Sequence, residues 1–542
     1  MNYVSILSLF IGFATAQLGT ADASGVPDAQ PRSISVDYKG AAKPLNSMPT
    51  LCVGAGRANE GLRADWQQQL AETRKDCGFR YLRFHGLLCD DMGVYLVDHK
   101  GEAHYNWQYV DALFDAMLDM NIRPFVELGF MPSALASGDE TIFWWKGNVT
   151  PPRDPAKWAE LIESLVRHWT DRYGEEEVKQ WYFEVWNEPN LVGFWIGDDK
   201  GLPYDQHEGF ARSEYYKLYE TTVRAVKSVC SEYRVGGPAT AGNAWIPETI
   251  AFCEENDVPL DFLSTHHYGV DAGYLDEWGT TGTVLSPNGN TIRDAVKHTR
   301  SQIESSSKAG LGLHYTEWST SYTPSDPVHD SYHSAAYILN NLKGIGDAAQ
   351  SMSYWTFTDI FEESGPRFTP FHGGFGLTNY QGIHKPAYFA YKFFNQLGPI
   401  ELENSDQASW VCKDEHGGLQ VLCWDFSLVR PGDQVNNQSF FNTDLPSTPA
   451  EPVRLLARNL DSGTYRMSAY KVGYRSNDAY TAYLDMGAPP QLTRDQVKLL
   501  KSAGSGEPYM QEVIEVAEDG ILKTTIPLLR NDVVLIVYER AR

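Results

Sequence analysis

Two glutamates stand directly after strongly apolar runs. Glu188 lies at the end of WYFEVWNEPN (181–190), and Glu317 lies in LHYTEWS (313–319). A carboxylic acid and a carboxylate facing one another across a cavity have complementary uses. One protonates a leaving oxygen while the other attacks the carbon being vacated. With their carboxyl groups about 5 Å apart, such a pair carries out retaining glycoside hydrolysis. A glutamate at a strand end is in itself unremarkable, because strands end and loops are polar. Two of them, each beside a Trp and one preceded by Asn187, require a scaffold that brings distant segments together.

The chain supplies one. Apolar, β-prone runs recur eight times: LCVGAG (51–56), YLRFHG (81–86), RPFVELGF (123–130), WYFEVWNEP (181–189), YRVGGPAT (233–240), FLSTHHYG (262–269), LHYTEWS (313–319) and MSYWTFTD (352–359). Between them, WQYVDALFDAMLDM (107–120), WAELIESLVRHWTDRYG (158–174) and EYYKLYETTVRAVKSV (214–229) carry apolar residues at helical spacing. Alternating strands and helices predict parallel βα units, and eight of them predict a (β/α)8 barrel of the α/β class, spanning residues 45–395. Such a barrel places its fourth and seventh strands opposite one another. His85, Glu127, Asn187, Glu188, His266, His267, Glu317 and Asp359 all fall at the carboxyl ends of the runs, the face where such barrels keep their active sites.

After residue 395 the pattern changes to short alternating runs such as WVCKDEHGGLQVLCWDF (410–426) and VVLIVYER (533–540), which predict an antiparallel β-sandwich over 396–542. The early run SISVDY (33–38), within a 24–44 segment, is expected to join that sheet. Residues 1–23 read as a secretory signal peptide: an apolar stretch near 3–16 is followed by Ala14-Thr15-Ala16 and Ala21-Asp22-Ala23, two small-x-small cleavage sequences. A secreted or periplasmic location follows as an expectation. Seven cysteines (52, 77, 89, 230, 253, 412 and 423) leave two readings open, a bridge among the first three or between Cys412 and Cys423, or buried free thiols.

With 45 basic and 70 acidic residues the net charge is −25, which repels nucleic acid and anionic membranes and accords with a neutral small ligand. The 15 Trp and 30 Tyr include flat faces suited to sugar C–H groups, although most serve as core. HGGFGL (372–377) lacks a phosphate-loop lysine and reads as a pocket-lining turn. The adjacent His266 and His267 are the one feature of a metal-dependent sugar isomerase, and the acidic ligands that such a site needs are too sparse. No metal and no cofactor are expected, the expected partner is a small oligosaccharide, and a homo-oligomer is left open.

WNEPN, STHHY, HYTEWS and SYWTFTDIFEE together resemble glycoside hydrolase family 39, the β-xylosidase and α-L-iduronidase family. The resemblance covers the barrel and the arrangement of an N-terminal strand with a C-terminal sandwich. It implies Glu188 as general acid/base, Glu317 as nucleophile and Asn187 as the partner of the sugar 2-hydroxyl. It further implies that Arg83 keeps the nucleophile ionised and that His85, His266 and Tyr268 bind substrate, with His267 a rival for the register. Phe194 resembles an aromatic wall, with core as the alternative, and Tyr322 is placed to reach the nucleophile. Trp355 is implied as a stacking platform, and Glu362 and Glu363 as acceptors for sugar hydroxyls. A uronic-acid substrate needs cations near its carboxylate. Arg293, Lys297, Arg300 and Lys308 sit mostly on an outward helix, so an exo-acting β-xylosidase is expected over an iduronidase. Both glutamates are present, which argues against a catalytically dead sugar-binding barrel.

Overall fold

A computed structural model describes residues 32–541 except 198–203, 276–280 and 431–436. The 1–23 leader lies outside the described residues. Eight parallel strands close into a barrel: β1 (Cys52–Arg57), β2 (Tyr81–His85), β3 (Arg123–Leu128), β4 (Tyr182–Val185), β5 (Arg234–Thr240), β6 (Phe262–Tyr268), β7 (Gly312–Ser319) and β8 (Ser351–Tyr354), with β8 paired to β1. Each overlaps an apolar run identified in the sequence, with Arg57, Gly312 and Ser351 one residue beyond theirs. Because both faces of a barrel strand are covered, the runs are apolar without clean alternation.

The outer helices follow from spacing and caps. Helix Pro155–Tyr173 starts where Asp154 accepts a hydrogen bond from the Ala156 amide and where Pro155 supplies a preset φ. Its buried residues Trp158, Leu161, Ile162, Leu165, Val166 and Trp169 form one stripe against the barrel. Each such large side chain contributes about 1.5–3 kcal/mol by leaving water. Among the described residues no helix is long and apolar enough to cross a membrane.

Two further sheets flank the barrel. In the seven-stranded antiparallel sheet the order is Ala42–Pro44, Ile400–Leu402, Ser409–Lys413, Leu419–Trp424, Val533–Arg540, Gly463–Val472 and Met510–Val516. A three-stranded sheet sets Ser33–Asp37 parallel to Val453–Arg458, with Leu522–Ile526 on the other side. Ile34, Val36, Val411, Val421, Leu455 and Ile536 pack the two sheets face to face as an accessory β domain. The other face of the larger sheet, including Trp410, Leu422, Trp424 and Leu535, merges with the core of the barrel helices. Two helices that alternation did not announce, Ala479–Asp485 and Arg494–Ala503, pack under Phe371 and Ile383 of the segment after β8.

All seven cysteines are free. The bridge considered between Cys412 and Cys423 does not form, because the two lie on opposite faces of their hairpin. Cys412 packs toward the barrel, while Cys423 packs into the sandwich. Cys52, Cys77 and Cys89 are each buried as separate thiols.

Candidate active site

Beyond Val185 the chain turns sharply. Trp186 and Glu188 both adopt left-handed φ, 70° and 46°, a conformation that strains residues with a Cβ. The turn is held by the Glu188 amide, which donates to the Ala239 carbonyl at 2.8 Å, and by the Trp186 indole, which donates to the Phe194 carbonyl. Glu188 is thereby fixed over the mouth of the barrel. Glu317 reaches the same point from β7. A carboxylate oxygen of each lies within 4.8 Å of the other, and His266 Nδ1 lies within the same radius.

Arg83 of β2 organises the floor and is completely buried. Its guanidinium donates to Glu184 Oε2 at 2.9 Å, Glu317 Oε1 at 2.5 Å and Asn187 Oδ1 at 2.8 Å, and pairs with Glu127 Oε2 at 2.9 Å. Glu127 and Glu184 sit side by side in the β3–β4 register, so without a cation between them they would repel one another. Glu184, on the same strand face as Glu188, is expected from the sequence to pair with a barrel-interior Arg or Lys, and this arginine is one of its partners. A fork of five N–H donors is the side chain able to serve four acceptors at once. Glu317 also accepts from the Tyr268 hydroxyl, at 2.6 Å.

The other carboxyls respond to burial. Desolvation pushes Glu188 up to about 7, with Arg83 opposing and Glu127 adding to the rise. Glu127 is pushed up to about 8 by burial against the pull of Arg83. Glu363 is raised by burial and then by the neighbouring Glu317, Glu60 and Glu188. Burial pushes the other way on the imidazoles, to about 3 for His85 and about 4 for His266.

The cavity above these groups has a volume of about 700 Å³, within the range of small-molecule sites. His85, Asn187, Glu188, Phe194, His267, Tyr268, Glu317, Tyr322, Trp355 and Glu363 all line it. Trp355 packs closely against β1 where position 54 is glycine; a Cβ there would come within 2.4 Å of the indole. Phe375, from HGGFGL, closes the far wall. No Lys or Arg lines the cavity among the described residues. Ile142, Phe143 and Leu191 line it as well and were not anticipated. The segment that carries the first two, TIFWWKG, offers only its aromatic content as a signal.

Three expectations are corrected. His266 does not line the cavity: it is fully buried, with Nδ1 on Glu188 Oε1 at 2.8 Å and Nε2 on Thr316 Oγ1 at 3.1 Å. The cavity-lining histidine of the pair is His267, whose Nδ1 meets the Asn243 amide. Glu362 turns away from the cavity to Arg57 and Arg63, at 3.2 and 3.1 Å, while its neighbour Glu363 faces inward. Tyr322 stands half-exposed at the rim with its ring edge-on to Tyr268, and the hydroxyl that reaches Glu317 is that of Tyr268. Asp359 also lies off the cavity, where it joins Asp330 on the buried Lys385 ammonium, each at 2.6 Å.

The family model for glycosyl hydrolases family 39 matches residues 32–521. The chain belongs to this family. It is 40% identical to a β-xylosidase of Geobacillus stearothermophilus, over 91% of this chain and 92% of that protein. The GH39 enzyme of Xanthomonas axonopodis pv. citri superposes with a TM-score of 0.89 at 44% identity, covering 95% of this chain and all of the other. A monomeric β-xylosidase from Caulobacter crescentus gives 0.88 at 42% identity, covering 94% of this chain and all of that one. The chain is thus a glycoside hydrolase on a (β/α)8 barrel.

Proposed function

We propose that this protein is a retaining β-xylosidase that releases xylose from the non-reducing ends of xylo-oligosaccharides by double displacement. The observation that carries the reading is that Glu188 and Glu317 bring carboxylate oxygens within 4.8 Å of one another. Retaining enzymes hold their carboxyls about 5 Å apart, whereas inverting ones need about 6.5–9.5 Å to seat a water between. In this reading Glu317 attacks the anomeric carbon. Arg83 and Tyr268 hold its oxygens by hydrogen bonds, which aims the carboxylate. Glu188, pushed up to about 7, keeps a proton for the leaving oxygen near neutral pH and later removes one from water. Asn187 spends its carbonyl oxygen on Arg83, which leaves its amide N–H groups for the sugar 2-hydroxyl.

The choice of sugar rests on charge. Glu188, Glu317 and Glu363 line the cavity and no Lys or Arg does among the described residues, so a uronate finds no lining cation to receive its carboxylate, while the carboxyl oxygens accept from sugar hydroxyls. Trp355 supplies a flat apolar face for the ring. The β-xylosidase relatives at about 40% identity support the same substrate class. Export across a membrane belongs to the proposal too, on the strength of the apolar stretch and cleavage sequences of residues 1–23.

The test is a panel of aryl xyloside, glucoside, arabinoside and iduronide, with proton NMR of the first product. The xyloside is expected to turn over fastest and to release β-xylose first. Early α-xylose would refute retention, and preference for the iduronide would refute the substrate.

A further inference from the structure

A buried chain of hydrogen bonds runs from Glu188 to the barrel floor, and its direction can be worked out. We infer that Thr316 and Glu184 fix His266 as the Nε2–H tautomer, so that a bare Nδ1 faces Glu188 and retains that carboxyl's proton until the leaving oxygen takes it. The inference rests on the acid/base reading of Glu188 given above and adds to it the positioning residues Thr316, Glu184 and His266.

One oxygen of Glu184 takes the Arg83 Nε–H at 2.9 Å, and the other accepts the Thr316 hydroxyl hydrogen at 2.7 Å. A hydroxyl has one hydrogen, so Thr316 Oγ1 can meet His266 Nε2, at 3.1 Å, only as an acceptor. Nε2 therefore carries a hydrogen. His266 is fully enclosed, and burial drives its imidazole toward the neutral form. A neutral imidazole has a single N–H, so Nδ1 is a lone pair. Glu188 Oε1 stands 2.8 Å from it, and a hydrogen bond there needs the hydrogen to come from the carboxyl. Glu317 Oε2 lies 3.6 Å from the same nitrogen and already accepts from Tyr268. The other charged or titratable groups facing this chain are Arg83 and His85 on β2, Glu127 on β3 and Glu184 on β4.

The chain has a consequence for each half of the reaction. In the first, the Glu188 proton passes to the glycosidic oxygen as the bond from that oxygen to the anomeric carbon breaks. The bond's electron pair leaves with the alcohol, and a new bond forms between Glu317 and the carbon. Glu188 is then a carboxylate facing a lone pair at hydrogen-bond distance. Relief requires His266 to carry its hydrogen on Nδ1, Thr316 to turn its hydroxyl to Nε2, and Glu184 to lose a donor. In the second half, the water oxygen bonds to the anomeric carbon as the carbon–Glu317 bond breaks and its electron pair returns to Glu317, the water's proton passes to Glu188, and the original order returns. The arrangement thus favours the protonated acid and opposes its early ionisation.

The experiment uses the full chain labelled with ¹⁵N-histidine. The His266 signals are assigned by their loss in His266→Gln, and a long-range nitrogen–proton correlation reads the tautomer. Wild type is expected to show Nε2–H, and Thr316→Val to shift toward Nδ1–H. The same variant is expected to lose about tenfold more kcat/KM on an alkyl β-xyloside, which needs protonation, than on a dinitrophenyl β-xyloside, which does not. Its basic limb should move to lower pH, and Thr316→Ser should restore both properties. An Nδ1–H signal in wild type, or equal losses on both substrates with an unmoved pH profile, would overturn the inference. Glu188→Ala separates the two levels: full alkyl-xyloside turnover in that variant would sink the acid assignment, whatever tautomer the spectrum shows.

Discussion

Replacing Glu188 with Gln removes one ionisable group from a buried site and keeps its shape. The folded carboxyl titrates at about 7 instead of its ordinary 4.5, because burial disfavours its charge. Below pH 4.5 the group is protonated both folded and unfolded, so it adds no pH dependence. Between 4.5 and about 7 the unfolded chain ionises while the folded one holds its proton, and wild-type stability falls by about 1.4 kcal/mol per pH unit. Above that window both forms are ionised and the loss levels off at about 3 kcal/mol. The glutamine variant has no such term, and its amide can donate to His266 Nδ1 as the protonated acid does. Urea unfolding followed by tryptophan fluorescence should therefore give similar stabilities near pH 4.5. The variant should then gain progressively and lead by about 3 kcal/mol at pH 8. A gap that is constant across this range, or one that widens toward acid, would refute the placement of an uncharged carboxyl at this position.

Two further outcomes are expected. Arg83→Lys keeps the charge but cannot span four acceptors. It should cost about 3–5 kcal/mol in urea unfolding and lower kcat/KM by about two to four powers of ten, since two of the lost bonds hold Glu317 and Asn187. Dialysis against EDTA should leave aryl xyloside turnover unchanged within about twofold; a metal-restored loss would mean that the Glu188, His266 and Glu317 atoms hold a cation in the working enzyme.

The barrel strands were legible because burial on both faces writes them as apolar runs, and the strand ends because ionisable and amide side chains concentrate there, although Arg83 and Glu184 stand inside their strands. Glu188 and Glu317 follow from that logic. Glu362 was misplaced because adjacent loop residues point opposite ways, and the cations that claim it, Arg57 and Arg63, lie some 300 positions away in the chain. His266 and His267 posed the same difficulty. A bulge in the β6–β7 pairing between Thr265 and His266 shifts the alternation where the decision falls, so counting residues along the strand could not choose between them. The Glu184–Thr316 bond joins β4 to β7 across the barrel interior, and such a pair leaves no local mark in sequence.

The order of strands in the larger flanking sheet bears on how this protein is made. Val533–Arg540 lies in the interior of that sheet, between Leu419–Trp424 and Gly463–Val472, although it comes late in the chain. During synthesis the barrel segment emerges from the ribosome well before this strand, and domains commonly fold in order of emergence. Strands Ala42–Pro44 and Ser33–Asp37, made first, must wait for partners near residues 400 and 454. A barrel folded in that order would stand beside unpaired strand edges, an interval in which a holding chaperone would have something to cover.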